Sequence, residues 1–376
     1  MTKRLLVLLV CLCLLPLQGL CAIDAEEMHR RFAQNRTVGG AAIVSLRGKP
    51  VFSYAYGFKD AQKRNPVTLD TCFRIASVTK LVTAVGVIQL CEKYEVNLDA
   101  PVNAYLGYNV SNPAYPKAPI TLRQILTHTT GFATRNTYHP AWEKIGKNNN
   151  LFIKNVAPGT KYHYSNLNGS LLAPFIENMS GQSINSYMAQ NVFLPLKMNA
   201  AYHPALLQDT SDISSQLYKD GTNLITAKRA LESIDKYDDT CNPQAHTDYS
   251  VGQLYISANA LDRLMAMFVL GGKVNEHQIL SEETVEFMLT SQNFPGSSVQ
   301  AQSPYTLGLD RVFDLPGGTW YGHQGRKEGL CSNAYFQPET GLSVVVIANG
   351  SAPKLRNNVS TLALWLMEQA QEYLVP

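Results

Sequence analysis

A serine and a lysine three residues apart, Ser77 and Lys80, stand where the chain's clearest helical pattern begins. From Val78 onward Leu81, Val82, Val85, Ile88 and Cys91 recur at 3.6-residue spacing, which predicts an amphipathic helix running to about Tyr94. Residues three apart share a helix face, so the Lys80 amine can reach Ser77 Oγ and take its proton. To act as that base Lys80 must be neutral, which requires burial or neighbouring cations. The helix start adds free N–H groups and partial positive charge, both suited to an oxyanion forming beside Ser77. Two other Ser-x-x-Lys tetrads occur, Ser233 to Lys236 and Ser351 to Lys354. Pro353 interrupts the second, and no amphipathic helix opens at the first.

Two further constellations can serve the same chemistry. Tyr164-Ser165-Asn166 follows the turn residues Pro158 and Gly159 and is the chain's single Tyr-x-Asn. A tyrosine held against Lys80 can pass a proton between Ser77 and a leaving group, while Asn166 can donate to and accept from a substrate amide. His323-Gln324-Gly325 ends a strand-like run from about Thr319. A strand edge there can bind an extended substrate through its backbone, and Arg326 N–H can join Ser77 N–H as an oxyanion hole. His128, bracketed by threonines before Gly131, reads as a structural hydrogen-bonder.

The elements that must position these groups follow from the pattern around them. A helix over Ala25 to Ala33 precedes two β-like runs, Gly40 to Ser45 and Val51 to Phe58, with Gly48, Lys49 and Pro50 as the turn of a hairpin. From Asn97 to about Gln300 short helical patterns alternate with Pro, Gly and Asn turns. Strand-like runs return at Gly318 to Gly322, Cys331 to Gln337 and Leu342 to Ala348, before an amphipathic helix over roughly Leu355 to Tyr373. Strands at both ends around a helical middle predict an α+β fold. One antiparallel sheet is built from both termini (23–76 and 303–376), and a mostly helical lobe (77–302) is inserted between them.

The chain's extent and composition bound the rest. With 376 residues, 45% hydrophobic and 16% charged, the chain can bury a large core. Its formal charge of +3 comes without a basic run, which argues against a nucleic-acid partner. Lys3 and Arg4, the apolar run Leu5 to Leu15, Pro16 and the small residues Gly19, Cys21 and Ala22 have the layout of a cleaved secretory signal over residues 1–22. Export to the periplasm or the exterior is therefore expected. Leu20 disfavours a lipid anchor on Cys21, and no later segment is apolar enough to form a stable membrane span. Cys72, Cys91, Cys241 and Cys331 lie beyond that segment, without a Cys-x-x-Cys metal pattern and with no readable disulfide pairing.

Taken together, Ser77-x-x-Lys80, Tyr164-x-Asn166 and His323-x-Gly325 resemble, in order and spacing, the signature of the class C β-lactamases, penicillin-binding proteins, D-alanyl-D-alanine carboxypeptidases and related esterases. The blocks Phe73 to Ala76, Leu98 to Val102, Ile120 to Gly131, Ala157 to Thr160 and Gly252 to Asp262 look like that family too. The resemblance implies a β-lactamase/transpeptidase-like fold and acyl transfer through Ser77, with Lys80 and Tyr164 as proton carriers. Asn166, His323, Gln324, Gly325 and Arg326 are implied as substrate-binding residues. It implies no metal or cofactor, a small-molecule or peptide substrate and a monomer. Class C enzymes carry Lys-Thr-Gly where this chain has His323-Gln324-Gly325, so D-amino-acid peptides or small esters are expected over β-lactams. A class C-type β-lactamase and a covalent β-lactam-binding sensor are the alternatives.

Overall fold

The computed structural model describes residues 23–62, 64–133, 149–243, 246–292 and 304–375. The expected signal segment, 1–22, lies outside the described residues. Strands from opposite ends of the chain join in one sheet. They are β1 (Gly39–Leu46), β2 (Lys49–Gly57), β3 (Asp310–Leu315), β4 (Gly318–Lys327), β5 (Leu330–Gln337) and β6 (Leu342–Asn349). Their order is β3-β4-β5-β6-β1-β2, with every neighbouring pair antiparallel. The β1–β2 turn is Arg47 (φ 50°) and Gly48 (φ 71°), two left-handed residues as a two-residue hairpin requires. Lys49 and Pro50, expected in that turn, begin β2 instead.

Both faces of the sheet are covered, which is why β1 and β6 are buried along nearly their whole length. On one face Ala42, Val44, Val344, Val346 and Tyr335 pack with α1 (Ala25–Gln34) and the last helix, Thr361–Leu374, through Phe32, Leu366 and Met367. On the other, Ala41, Ile43, Val345, Ile347 and Phe336 join the larger core. That core holds α2 (Val78–Tyr94), α3 (Leu172–Ser180) and α4 (Ala258–Val269), so with the last helix as α5 the sheet sits between helical layers. Each fully buried Val, Leu or Ile contributes roughly 1.5–3 kcal/mol to such a core.

The helix that carries the tetrad differs from its sequence reading. It is not amphipathic: every residue from Val78 to Ile88 is buried, and only its last turn, Glu92 to Tyr94, reaches solvent. The 3.6-residue pattern is there, but Thr83, Ala84, Gly86 and Val87 fill the opposite face with small or apolar groups, and a helix apolar all round belongs inside. Two other boundaries moved. Strand β3 had no reading in the sequence, and α5 starts at Thr361 because Leu355–Arg356 and Val359–Ser360 pair first as a short hairpin. The four cysteines beyond residue 22 are free thiols.

Candidate functional site

Ser77 is the cap residue of α2, with φ −66° and ψ −13°, and its side chain makes no capping hydrogen bond. Ala76, just before it, holds a left-handed φ of 47°. Lys80 Nζ lies 3.3 Å from Ser77 Oγ and donates to Val251 O at 2.8 Å. The lysine is only 2% exposed. Burial pushes it down to about 7 from an ordinary 10.5, with Asp310 pulling weakly the other way. A substantial neutral fraction at pH 7 leaves a lone pair for the Ser77 proton while an N–H still bonds Val251 O. Room for the lysine stem is made by Gly169, where a Cβ would sit 2.6 Å from Lys80 Cε.

Tyr164 reaches the lysine from the loop before the short helix Asn166–Gly169, its ring centroid 5.5 Å from Nζ. Its ring stacks on His128 at 4.4 Å. His128 is 2% exposed, and its Nδ1 accepts from Ser165 N–H (3.1 Å) and lies 3.0 Å from Asn168 Nδ2. An accepting Nδ1 puts the ring proton on Nε2, and burial together with Lys80 and His323 holds the imidazole well below its ordinary range. His128 is thus a neutral clamp on the Tyr164 loop. Asn166 Oδ1 is buried with no hydrogen-bond partner among the described residues.

Strand β4 crosses Ser77 at Gly325. A Cβ there would stand 2.3 Å from Ile75 O, 2.4 Å from Ser332 Oγ and 3.1 Å from Ser77 N, so only glycine fits. Ser332 Oγ, opposite Gly325 in β5, donates to Ile75 O at 2.7 Å and ties the sheet to the segment before Ser77. Gln324 N–H points off the strand to Asp310 Oδ2 at 3.3 Å, and the two-residue repeat sends Arg326 N–H the same way.

Of the expected residues, Ser77, Asn166 and Arg326 line one cavity of about 140 Å³, together with Arg74, Asp248 and Lys327. Lys80 lies buried behind Ser77. His323 is not on that wall. It is 2% exposed, with Nδ1 2.5 Å from Gln324 O and 3.9 Å from Asp310 Oδ2, and its ring faces Tyr164 at 6.1 Å and Tyr305 at 5.8 Å. Burial and Lys80 lower it, against an opposing pull from Asp310. Arg326 and Lys327, rather than the enclosed His323 ring, are the charged groups of this strand that line the cavity.

Sequence reasoning missed Asp310, Val251 O, Gly169 and Arg74. Asp310 sits beside Arg311 and reads as an ordinary charged pair, and a backbone carbonyl and a packing glycine leave no trace in residue type. The competing tetrads are structural. Ser351 is 1% exposed and bonded to Asn35 O and Thr37 Oγ1. Ser233 Oγ donates to Ala230 O at 2.6 Å and meets His203 Nε2 at 2.9 Å. That imidazole accepts from Ala205 N–H through Nδ1, so Nε2 carries the proton and is no base.

The sequence profile of the Beta-lactamase family matches residues 25–364. The chain belongs to that family. The family supports a serine-hydrolase-type activity in general. Protein flp of Staphylococcus aureus is 29% identical over 175 residues, covering 44% of this chain and 35% of that protein. Penicillin-binding protein 4* of Bacillus subtilis is 25% identical over 185 residues, covering 46% of this chain and 40% of the relative. The matches thus span well under half of these curated relatives' length. Among solved structures, the octameric penicillin-binding protein homologue from Pyrococcus abyssi superposes with a TM-score of 0.71 at 21% identity, covering 92% of this chain and 77% of that one. SurE bound to D-Leu gives 0.65 at 23%, covering 93% and 75%. Both share the penicillin-binding-protein and β-lactamase fold, the α+β architecture expected from the sequence. Among the described residues no helix is long and apolar enough to cross a membrane.

Proposed function

We propose that the chain is an exported serine hydrolase that cleaves an amide or ester through an acyl-enzyme on Ser77, acting on D-amino-acid peptides or small esters. The observation that carries this reading is the buried Lys80, 3.3 Å from Ser77 Oγ and brought down to about 7 by burial. Neutral Lys80 takes the Ser77 proton as Oγ attacks the carbonyl carbon. Ser77 N–H and Arg326 N–H receive the oxyanion. The proton then passes by way of Lys80 and Tyr164 to the leaving nitrogen or oxygen as its bond to carbon breaks. Water, relieved of a proton by the same groups, releases the acid and restores Ser77.

The test is turnover of D-alanyl and D-leucyl peptides, D-amino-acid amides, simple esters and a chromogenic cephalosporin by the purified protein and by Ser77→Ala. D-Leu is included because a structural neighbour was solved with it. Sustained turnover of a peptide or ester, lost in Ser77→Ala, supports the reading. Turnover undiminished in Ser77→Ala sinks it. A cephalosporin that labels one equivalent of protein while no substrate turns over points to a sensor instead.

A further inference from the structure

The backbone just before Ser77 is strained. Among the described residues twelve non-glycine residues have a positive φ, and Ala76, at 47°, is the one of them with an apolar side chain. Asn and Asp settle in that region with local hydrogen bonds from their side chains, and glycine enters it without steric cost; alanine has neither relief. Such a conformation persists where its surroundings impose it. Ala76 also lines the cavity that holds Ser77, so the strain sits at the wall of the reaction site.

The groups that impose it surround the bend. Ile75 N–H donates to Leu254 O at 3.0 Å. The carbonyl of the same residue accepts from Ser332 Oγ at 2.7 Å, and Ser332, fully buried, stands opposite Gly325 in β5. Gly252 closes a further side, since a Cβ there would lie 3.3 Å from Ala76 C and 3.4 Å from its Cα. With planar peptides, only the φ and ψ of Ala76 separate the Ile75 carbonyl from Ser77 N–H. Holding one therefore constrains the other. The two oxyanion donors of the reading above, Ser77 N–H and Arg326 N–H, come from different elements, the start of α2 and β4. Contact between those elements sets the spacing of the donors. Gly325 meets Ile75 O and Ser77 N at that contact, and the Ser332 hydroxyl clamps Ile75 O in place.

From this arrangement we infer that Ser332 is a positioning residue for the oxyanion hole: through the Ile75 carbonyl its hydroxyl holds the strained bend at Ala76 against β4 and so sets the gap between Ser77 N–H and Arg326 N–H. Ser332 touches no substrate atom in this account. The inference rests on the serine-hydrolase reading and deepens it by adding a residue that acts on the site from the neighbouring strand.

The probes are 4-nitrophenyl hexanoate and its thiono analogue, which differ in the one atom, oxygen or sulfur, that the hole must seat. A hole set for oxygen favours the ester and a loosened one discriminates less, whereas a loss of folded enzyme slows both substrates alike. Ser332→Ala should lower kcat/KM for the ester by about tenfold, less than the loss of a whole donor, and should reduce the ester-to-thionoester ratio with it. Ser332→Cys, of nearly the same size and with only a weak S–H donor, should fall between alanine and wild type, and it carries the test if the alanine variant does not fold. Glycine holds a φ near 47° without strain, so adding Ala76→Gly to the Ser332 variant should restore part of both losses. A ratio unmoved in the Ser332 variants, or a loss that Ala76→Gly leaves whole, overturns the inference, while Ser77-dependent turnover keeps the serine-hydrolase reading standing. No release of nitrophenolate by the wild-type chain, or release that persists in Ser77→Ala, overturns that reading and the inference with it.

Discussion

Replacing Lys80 by methionine removes the proposed base and should, below neutrality, stabilise the fold. Lys80 is 2% exposed and pushed from 10.5 to about 7, with burial as the main cause. Each pH unit between those values is worth about 1.4 kcal/mol, so forcing the charge onto the buried amine costs the folded state on the order of 4 to 5 kcal/mol below pH 7. Methionine has similar length and no charge, but it cannot donate to Val251 O, and an acceptor left unpaired costs about 1–3 kcal/mol. The net gain expected for Lys80→Met at pH 6 is therefore about 1–4 kcal/mol. The sign of the pH dependence follows from proton counting. Between pH 7 and 10.5 the unfolded chain keeps the lysine proton that the folded chain has released, so wild-type stability rises with pH through this window. The advantage of Lys80→Met should shrink across it and turn into a loss of about 1–3 kcal/mol above pH 10.5, where only the missing hydrogen bond remains. Urea unfolding of both proteins from pH 6 to pH 10 measures the difference. A variant less stable than wild type by the same amount at every pH would mean that Lys80 stays charged and well paired, and the base assignment would fall.

The remaining predictions probe other parts of the site. Acylation kcat/KM should rise with pH through a single ionisation near 7, because only neutral Lys80 accepts the Ser77 proton; a flat profile from pH 5.5 to 8.5 contradicts this. Gly325→Ala drives a Cβ onto Ile75 O, a backbone atom that cannot step aside, so both stability and acylation should drop, stability by about 1–3 kcal/mol. Gly169→Ala meets the Lys80 stem, so acylation should fall far more than the melting temperature, and a melting temperature that collapses while acylation persists refutes this account. His323→Lys, which would be expected to improve carboxylate substrates if position 323 touched them, should instead lower the melting temperature, since it buries a second ammonium near Lys80; unchanged stability with a gain on carboxylate substrates would place position 323 back in the binding site.

What could be read from sequence alone was whatever residue type and local spacing encode. The tetrad at the start of α2 follows from a 3.6-residue period, and the hairpin of β1 and β2 and the C-terminal strands follow from short β-rich runs set off by turn residues. The sheet's closure was readable because strand patterns appear only near the two ends of the chain. Long-range packing left no such signal. Nothing near Asp310 in sequence says that its carboxylate will meet His323 and Tyr335 Oη, the latter at 3.2 Å. The Val251 carbonyl reaches Lys80 across a separation of 171 residues. His323 was expected at the substrate because it occupies the lysine's place in a motif, whereas its burial depends on Tyr164, Tyr305 and Asp310, which come from separate segments. The all-round burial of α2 was missed for a different reason: periodicity locates one apolar face and is blind to small residues filling the other.

The central claim is that Ser77 becomes acylated, and the most direct measurement is the position of the acyl group in a reaction stopped by acid during turnover of the best ester substrate. Trypsin cleaves after Arg74 and Lys80, so the account predicts the acyl mass on the peptide Ile75 to Lys80, at Ser77, and its disappearance in Ser77→Ala. An acyl group found on Ser233, Ser351 or any other side chain while turnover proceeds would contradict it.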